Sequence, residues 1–241
     1  MSGPPGSGKT TFLQRCASRF AEHNLRLGGV IAPTGANGRR ELQLLRGPVP
    51  QVLPFQMNDS GPGDGSGQGT SKMCEEGAIQ EGCVRIGNFE FNESSFAAAR
   101  NELERCRTAG QLQGAEQPDG HISWVIIDEV GPLELHRKQG LEPAVGELLR
   151  SANAGAVGAP QSRFIIVVRP SLRDKLVSTF LNDQVDSVDI EDASGVGMSG
   201  FFPFGAEARA AAIVDISTDQ LASDADADAL ISRLVHLPPL L

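Results

Sequence analysis

The chain has 241 residues and a net charge of −9 at pH 7, a length that suits one sizeable α/β core with insertions better than two full domains. The acidic balance argues against broad binding to nucleic acid or anionic membranes, while leaving room for a local basic cleft. No apolar run reaches the ~18 residues of a membrane span, and with a phosphate-binding motif beginning at the third residue no signal peptide is expected, so a soluble cytoplasmic protein is the expectation. Oligomeric state is left open. The four cysteines, Cys16, Cys74, Cys83 and Cys106, form no C-x-x-C pair, and the four histidines show no ligand spacing. Reduced structural thiols are therefore expected in place of a zinc site.

Gly3-Pro4-Pro5-Gly6-Ser7-Gly8-Lys9-Thr10 satisfies G-x-x-x-x-G-K-[ST] at every fixed position, and Thr11 follows it. Glycines let a loop curl so that its backbone N–H groups surround a polyphosphate, and the helix that follows points its positive end at the charge. In that arrangement Lys9 reaches the β- and γ-phosphates and the Thr10 hydroxyl takes one position on Mg²⁺. Thr10–Ala21 reads as the helix, with Phe12, Leu13, Cys16 and Phe20 on one face. Gly28-Gly29-Val30-Ile31 predicts a short strand, and Glu41–Leu45 a second one across a turn carrying Asn37-Gly38.

A stretch at 58–72 is rich in Gly, Ser and Asp and reads as a flexible insertion. Val84–Phe91 predicts another strand. Ser95 offers an N-cap for a helix bearing Phe96, Ala99, Leu103 and Cys106 at helical spacing, and 110–120 reads as a second polar insertion. Trp124-Val125-Ile126-Ile127-Asp128-Glu129 is an apolar run closed by two acids. Four apolar residues in succession suit a parallel strand covered on both faces, with the carboxylates emerging at its C-terminal end, where ligands sit in open α/β sheets. Asp128 is placed to hold Mg²⁺ through water, and Glu129 to orient or deprotonate an attacking water.

Beyond the acids, Gly131-Pro132 precedes a helix near Leu141–Ser151 with Pro143 close to its start. A third insertion falls at 153–162, before a buried strand over Phe164–Val168. Ser171 and Asp174 make a capping pair for a helix with Leu172, Leu176, Val177 and Phe180, and Val185–Ile190 predicts a further strand. The segment 195–241 is irregular except for a C-terminal helix over Ala229–Leu237. Asp224, Asp226 and Asp228 have the opening spacing of a calcium loop, but Ala229 and Val235 stand where its Gly and Glu belong, so these acids are read as opening that helix.

In order along the chain, the G-P-P-G-S-G-K-T-T loop, Gly28-Gly29-Val30 with Gly38-Arg39-Arg40, Val84-Arg85-Ile86-Gly87 before Phe96, and Asp128-Glu129-Val130-Gly131-Pro132-Leu133-Glu134-Leu135 resemble the thermostable (cancer-related) nucleoside-triphosphatase family. The likeness spans roughly Gly3–Phe180. It implies a single RecA-like P-loop NTPase domain, a mostly parallel sheet with helices on both faces, and Mg²⁺-dependent hydrolysis of nucleoside triphosphates with low base selectivity. It also places Lys9, Thr10, Asp128 and Glu129 in the roles already derived. Members of that family carry a buried strand before the phosphate loop, whereas only Met1 and Ser2 precede Gly3 here, so a first strand that is missing or truncated is expected.

Three arginines compete for a charge-stabilising role. Arg39 and Arg40 match the family's paired arginines and could face the nucleotide from their turn, and Arg169 directly follows the Phe164–Val168 strand on the rim that carries the acids, where it could neutralise γ-phosphate charge. A nucleoside or nucleotide kinase, and a nucleotide-binding remnant with little activity, stand beside hydrolysis as alternatives. Asp128-Glu129-Val130-Gly131 also fits the D-x-x-G of a switch GTPase, although no N-K-x-D motif follows.

Overall fold

The structure, a computed structural model, describes residues 8–47, 49–59, 82–86, 89–111, 122–153, 162–180 and 223–236. The first helix, α1 (Lys9–Glu22), is followed by β1 (Leu27–Ile31), β2 (Glu41–Leu44), β3 (Gln51–Pro54) and β4 (Gln56–Asp59). Then come β5 (Cys83–Ile86), β6 (Phe89–Asn92), α2 (Glu93–Gln111), β7 (Trp124–Val130), α3 (Pro132–Arg137), α4 (Ala144–Asn153), β8 (Arg163–Val168), α5 (Arg173–Phe180) and α6 (Asp224–Val235). The main sheet has the order β3-β2-β1-β7-β8, and a second, antiparallel sheet has the order β4-β6-β5. β1, β7 and β8 are mutually parallel, while β2 runs against both β1 and β3. Four of the five strands of the main sheet therefore point the same way, and their C-terminal ends share one rim.

Both faces of this sheet are covered, as the unbroken apolar runs require. On one face Val125, Ile127, Phe164, Ile166 and Val168 pack with Ala99, Leu103 and Cys106 of α2 and Val145, Leu148 and Leu149 of α4. On the other, Trp124, Ile126, Ile165 and Val167 pack with Phe12, Leu13, Cys16 and Phe20 of α1 and Leu230, Ile231 and Leu234 of α6. Arg15 ties α6 to α1 through Asp224 at 2.6 Å and Asp228 at 2.8 Å. Close approach of β1 to β7 depends on Gly29: its φ is +104°, and a Cβ there would lie 2.0 Å from the Ile126 carbonyl oxygen. The Gly29 N–H donates to Glu102, a fully buried carboxylate on α2 that also ion-pairs with Arg46 and Arg105.

Several elements differ from the sequence reading. Val84–Phe91 is not one strand but the hairpin β5–β6, with Ile86 opposite Phe89. β4 reaches Asp59, so ordered structure extends into the expected insertion at 58–72; the remainder of that stretch, from 60 on, lies outside the described residues. α2 starts at Glu93, and its cap is Asn92, whose Oδ1 accepts from Ser94 N–H at 2.9 Å; Ser95 is buried and donates its hydroxyl to the Pro54 carbonyl. Ser171 sits inside a 3₁₀ turn, Pro170–Leu172, rather than capping α5. α6 begins with Ser223 as its cap, five residues before the expected start, so Asp224, Asp226 and Asp228 lie within the helix. The strand expected at Val185–Ile190, the larger parts of the other two insertions and residues 1–7 lie outside the described residues.

Candidate active site

The end of the phosphate-binding motif forms the start of α1. Gly8 precedes the helix at φ +80°, a left-handed conformation that favours glycine, and its carbonyl accepts the Phe12 N–H. Lys9 and Thr10 stand half-buried in the first turn and Thr11 is exposed. Gly3, Pro4, Pro5, Gly6 and Ser7 fall outside the described residues. The buried row Phe12, Leu13, Cys16 and Phe20 presses α1 onto the sheet, which carries Thr10 to the C-terminal rim of β7.

There the Thr10 hydroxyl donates to Asp128 Oδ2 at 2.9 Å, joining residues 118 positions apart. The same oxygen accepts the Ala32 N–H from the end of β1 at 3.3 Å. Asp128 is only 5% exposed. Burial pushes its carboxyl pKa up, partly offset by the Thr10 and Ala32 hydrogen bonds and the Arg40 charge, while Glu129 adds to the rise. Asp128 and Glu129 lie near the C-terminal end of β7, as the sequence reading has them, and the strand continues one residue further to Val130. The β7–β8 ladder is irregular between Ile127 and Val130, the stretch that holds both acids.

Glu129 is half-buried, and its Oε1 receives a hydrogen bond from Arg169 Nε at 3.0 Å. Arg169 projects from the residue after β8, the strand beside β7, and its side chain is more than half exposed. The two arginines of the β1–β2 turn separate. Arg40 donates Nη1 to the Ala32 carbonyl at 2.5 Å and acts electrostatically on Asp128. Arg39 is exposed, and its backbone N–H is held by the Asn37 side chain.

One further carboxylate of this region, Glu134, is read from the sequence as serving packing or supporting contacts more than catalysis. Glu134, on α3, accepts the Gly131 N–H at 2.9 Å and the Leu141 N–H at 3.2 Å, and it is 4% exposed. The signal available was its position three residues after Gly131 with Pro132 between, a helix-start spacing in which a glutamate reaches back to the preceding N–H.

A Thr10 hydroxyl against a buried carboxylate is a set of hard oxygen donors, and a carboxyl whose charge is disfavoured by burial gains from a cation nearby. Both features suit Mg²⁺, which takes one or two carboxylates and completes its shell with water and phosphate oxygens. Among the described residues no cluster of three or more His, Cys, Asp or Glu is disposed to hold a metal.

A mostly parallel sheet, a glycine-led helix at its C-terminal rim and an acid-tipped neighbouring strand together define a P-loop NTPase fold. A crystal structure of THEP1 from the hyperthermophile Aquifex aeolicus matches it with a TM-score of 0.51 and 14% sequence identity, over 98% of this chain and 97% of that chain. At that identity the likeness establishes the fold. No protein-family model matches the sequence, and no curated protein matches it significantly. No helix among the described residues is long and apolar enough to cross a membrane.

Proposed function

We propose that the protein hydrolyses nucleoside triphosphates to the diphosphate and phosphate with Mg²⁺, with low selectivity for the base. The observation that carries this reading is the contact between Thr10 and Asp128, which brings the end of the phosphate loop against the strand acid with Glu129 next in the chain. Thr10 and Asp128 would hold Mg²⁺, Asp128 through water, and the ion supplies neutralisation of β- and γ-phosphate charge. The loop Gly3 to Thr11 would cradle the phosphates with the backbone N–H groups of its residues other than Pro4 and Pro5, and Lys9 would place its ammonium against the transferred group. Arg40 adds positive charge beside Asp128.

Glu129 orients and deprotonates the attacking water. In the free protein it is paired with Arg169 across the strand ends. An entering γ-phosphate offers Arg169 a stronger acceptor, so binding moves the guanidinium toward the developing charge and frees the carboxylate for water. The switch-GTPase reading is disfavoured by Glu134, because the Gly131 N–H that would have to meet a phosphate is already committed to its carboxylate.

Phosphate release from a panel of nucleoside triphosphates, with and without Mg²⁺ and with Lys9→Ala as control, tests the reading. Release that needs Mg²⁺, needs no added acceptor and disappears in the control supports hydrolysis. Release that depends on a nucleoside acceptor would instead identify a kinase, and binding without release a nucleotide-binding remnant.

A further inference from the structure

Glu134 occupies a place that packing alone does not explain. It is charged or chargeable, almost completely buried, and sits on a helix of only six residues immediately after the acid-bearing strand. Its two oxygens serve two different loops: Oε2 takes the N–H of Gly131, two residues past Glu129, and Oε1 takes the N–H of Leu141, which leads into α4. Pro132 has no N–H, so Gly131 supplies the last backbone donor between Glu129 and α3. The Leu141 side of the clasp requires a glycine next to it. Gly140 has φ +67°, and a Cβ there would come within 2.4 Å of Glu134 Oε1 and 2.6 Å of Leu133 Cδ2.

From this geometry we infer that Glu134 is a positioning residue for the hydrolytic centre, its ionised carboxylate locking Gly131 to Leu141 so that the backbone carrying Glu129 is held at the angle the reaction needs. The inference rests on the hydrolase reading above. Only a carboxylate satisfies both donors at once: an amide of the same shape accepts one N–H through its oxygen and turns its own NH₂ toward the other. A protonated carboxyl holds the second N–H more weakly, because its hydroxyl oxygen is the poorer acceptor. The environment makes that protonation reachable, since burial, opposed by the Gly131 and Leu141 hydrogen bonds and assisted by the Glu129 charge, raises the Glu134 pKa to about 7. Of the elements packed against α3, β7 presents Glu129, whose charge acts on this carboxyl, and α5 carries Arg173, Asp174 and Lys175; in the adjoining loop Lys138 stands 3.9 Å from Glu142. Turnover should therefore rise with pH through about 7 as the clasp closes.

The experiment compares kcat, KM and thermal midpoint for the wild type and Glu134→Gln across the neutral pH range. The expected result is a loss in kcat of about 10- to 100-fold, as for a slightly misplaced catalytic group, with KM within about twofold, and disappearance of the wild-type rise in kcat near neutral pH. A variant with wild-type kcat, or one whose only change is in KM, overturns the inference while leaving hydrolysis intact. If Glu134→Gln does not fold, the wild-type profile decides, and a kcat flat through neutrality overturns the proposal. A wild-type protein that releases no phosphate from any triphosphate overturns the hydrolase reading and this inference with it.

Discussion

Replacing Asp128 by asparagine should make the free protein more stable and deaf to magnesium. The side-chain oxygen of asparagine can occupy the place of Oδ2 and keep both hydrogen bonds, from the Thr10 hydroxyl and the Ala32 N–H. What is lost is the extra strength of a charged acceptor, about 1 kcal/mol per bond. What is relieved is the cost of burying an ionised carboxylate at 5% exposure, several kcal/mol per ion, reduced here by the nearby Arg40 charge. The balance favours asparagine by about 1–2 kcal/mol, a rise in Tm of about 2–8 °C for a domain of this size. The sign with pH follows from the raised carboxyl: folding favours its protonated form, so wild-type stability is lost as pH rises through the folded value, and Asp128→Asn removes that part of the slope.

With Mg²⁺ and a non-hydrolysable triphosphate at 100 times the wild-type Kd, the wild type should gain about 2.7 kcal/mol; a variant binding 100-fold more weakly gains only about 0.4 kcal/mol. Thermal unfolding with and without the ligand reads both effects in one series. A free variant destabilised by more than about 2 kcal/mol, or one that keeps the full ligand-induced shift, would refute the assignment of this oxygen to the cation.

Lys9→Ala should lower the hydrolysis rate by about 10² or more while leaving the fold intact, as followed by phosphate release and circular dichroism. Glu129→Gln should cut kcat by a similar factor with triphosphate affinity unchanged in a titration; equal loss of affinity in Glu129→Gln and Asp128→Asn would argue against separate roles. Glu102→Ala, which strips the shared acceptor from Arg46, Arg105 and the Gly29 N–H, should cost about 3–5 kcal/mol in urea unfolding without abolishing nucleotide binding at low temperature.

The parts of the fold that were legible in the sequence are those where a continuous physical pattern acts over many residues. The apolar run from Trp124 to Ile127 and the one from Phe164 to Val168 had to be buried on both faces, and the helical spacing of Phe12, Cys16 and Phe20 had to face a sheet. The apposition of Thr10 and Asp128 follows from those two constraints. β3 escaped because it is an edge strand whose Val52 is half exposed, leaving no alternation to read. The β5–β6 hairpin was signalled by Gly87-Asn88, a turn dipeptide, but the apolar–charged alternation of Val84-Arg85-Ile86 and Phe89-Glu90-Phe91 on its two sides also reads as one strand. Arg39 and Arg40 could not be separated by composition. Their difference is tertiary: the bridge between Thr34 and Arg40 holds the second arginine over the Ala32 carbonyl and leaves the first on the outer side of the turn.

The chain contains one tryptophan and no tyrosine. Trp124 begins the strand that ends in the two acids, is 1% exposed, and stacks at 4.9 Å between centroids on Phe20 of α1, with the Arg163 guanidinium 5.5 Å from its ring. Ultraviolet emission from this protein is therefore the signal of a single indole placed at the seam between the helix that carries Lys9 and Thr10 and the strand that carries Asp128 and Glu129. Its wavelength reads the dryness of that seam and its intensity reads the distance to the cation above it, so stopped-flow fluorescence follows the seating of α1 on β7 with no label attached.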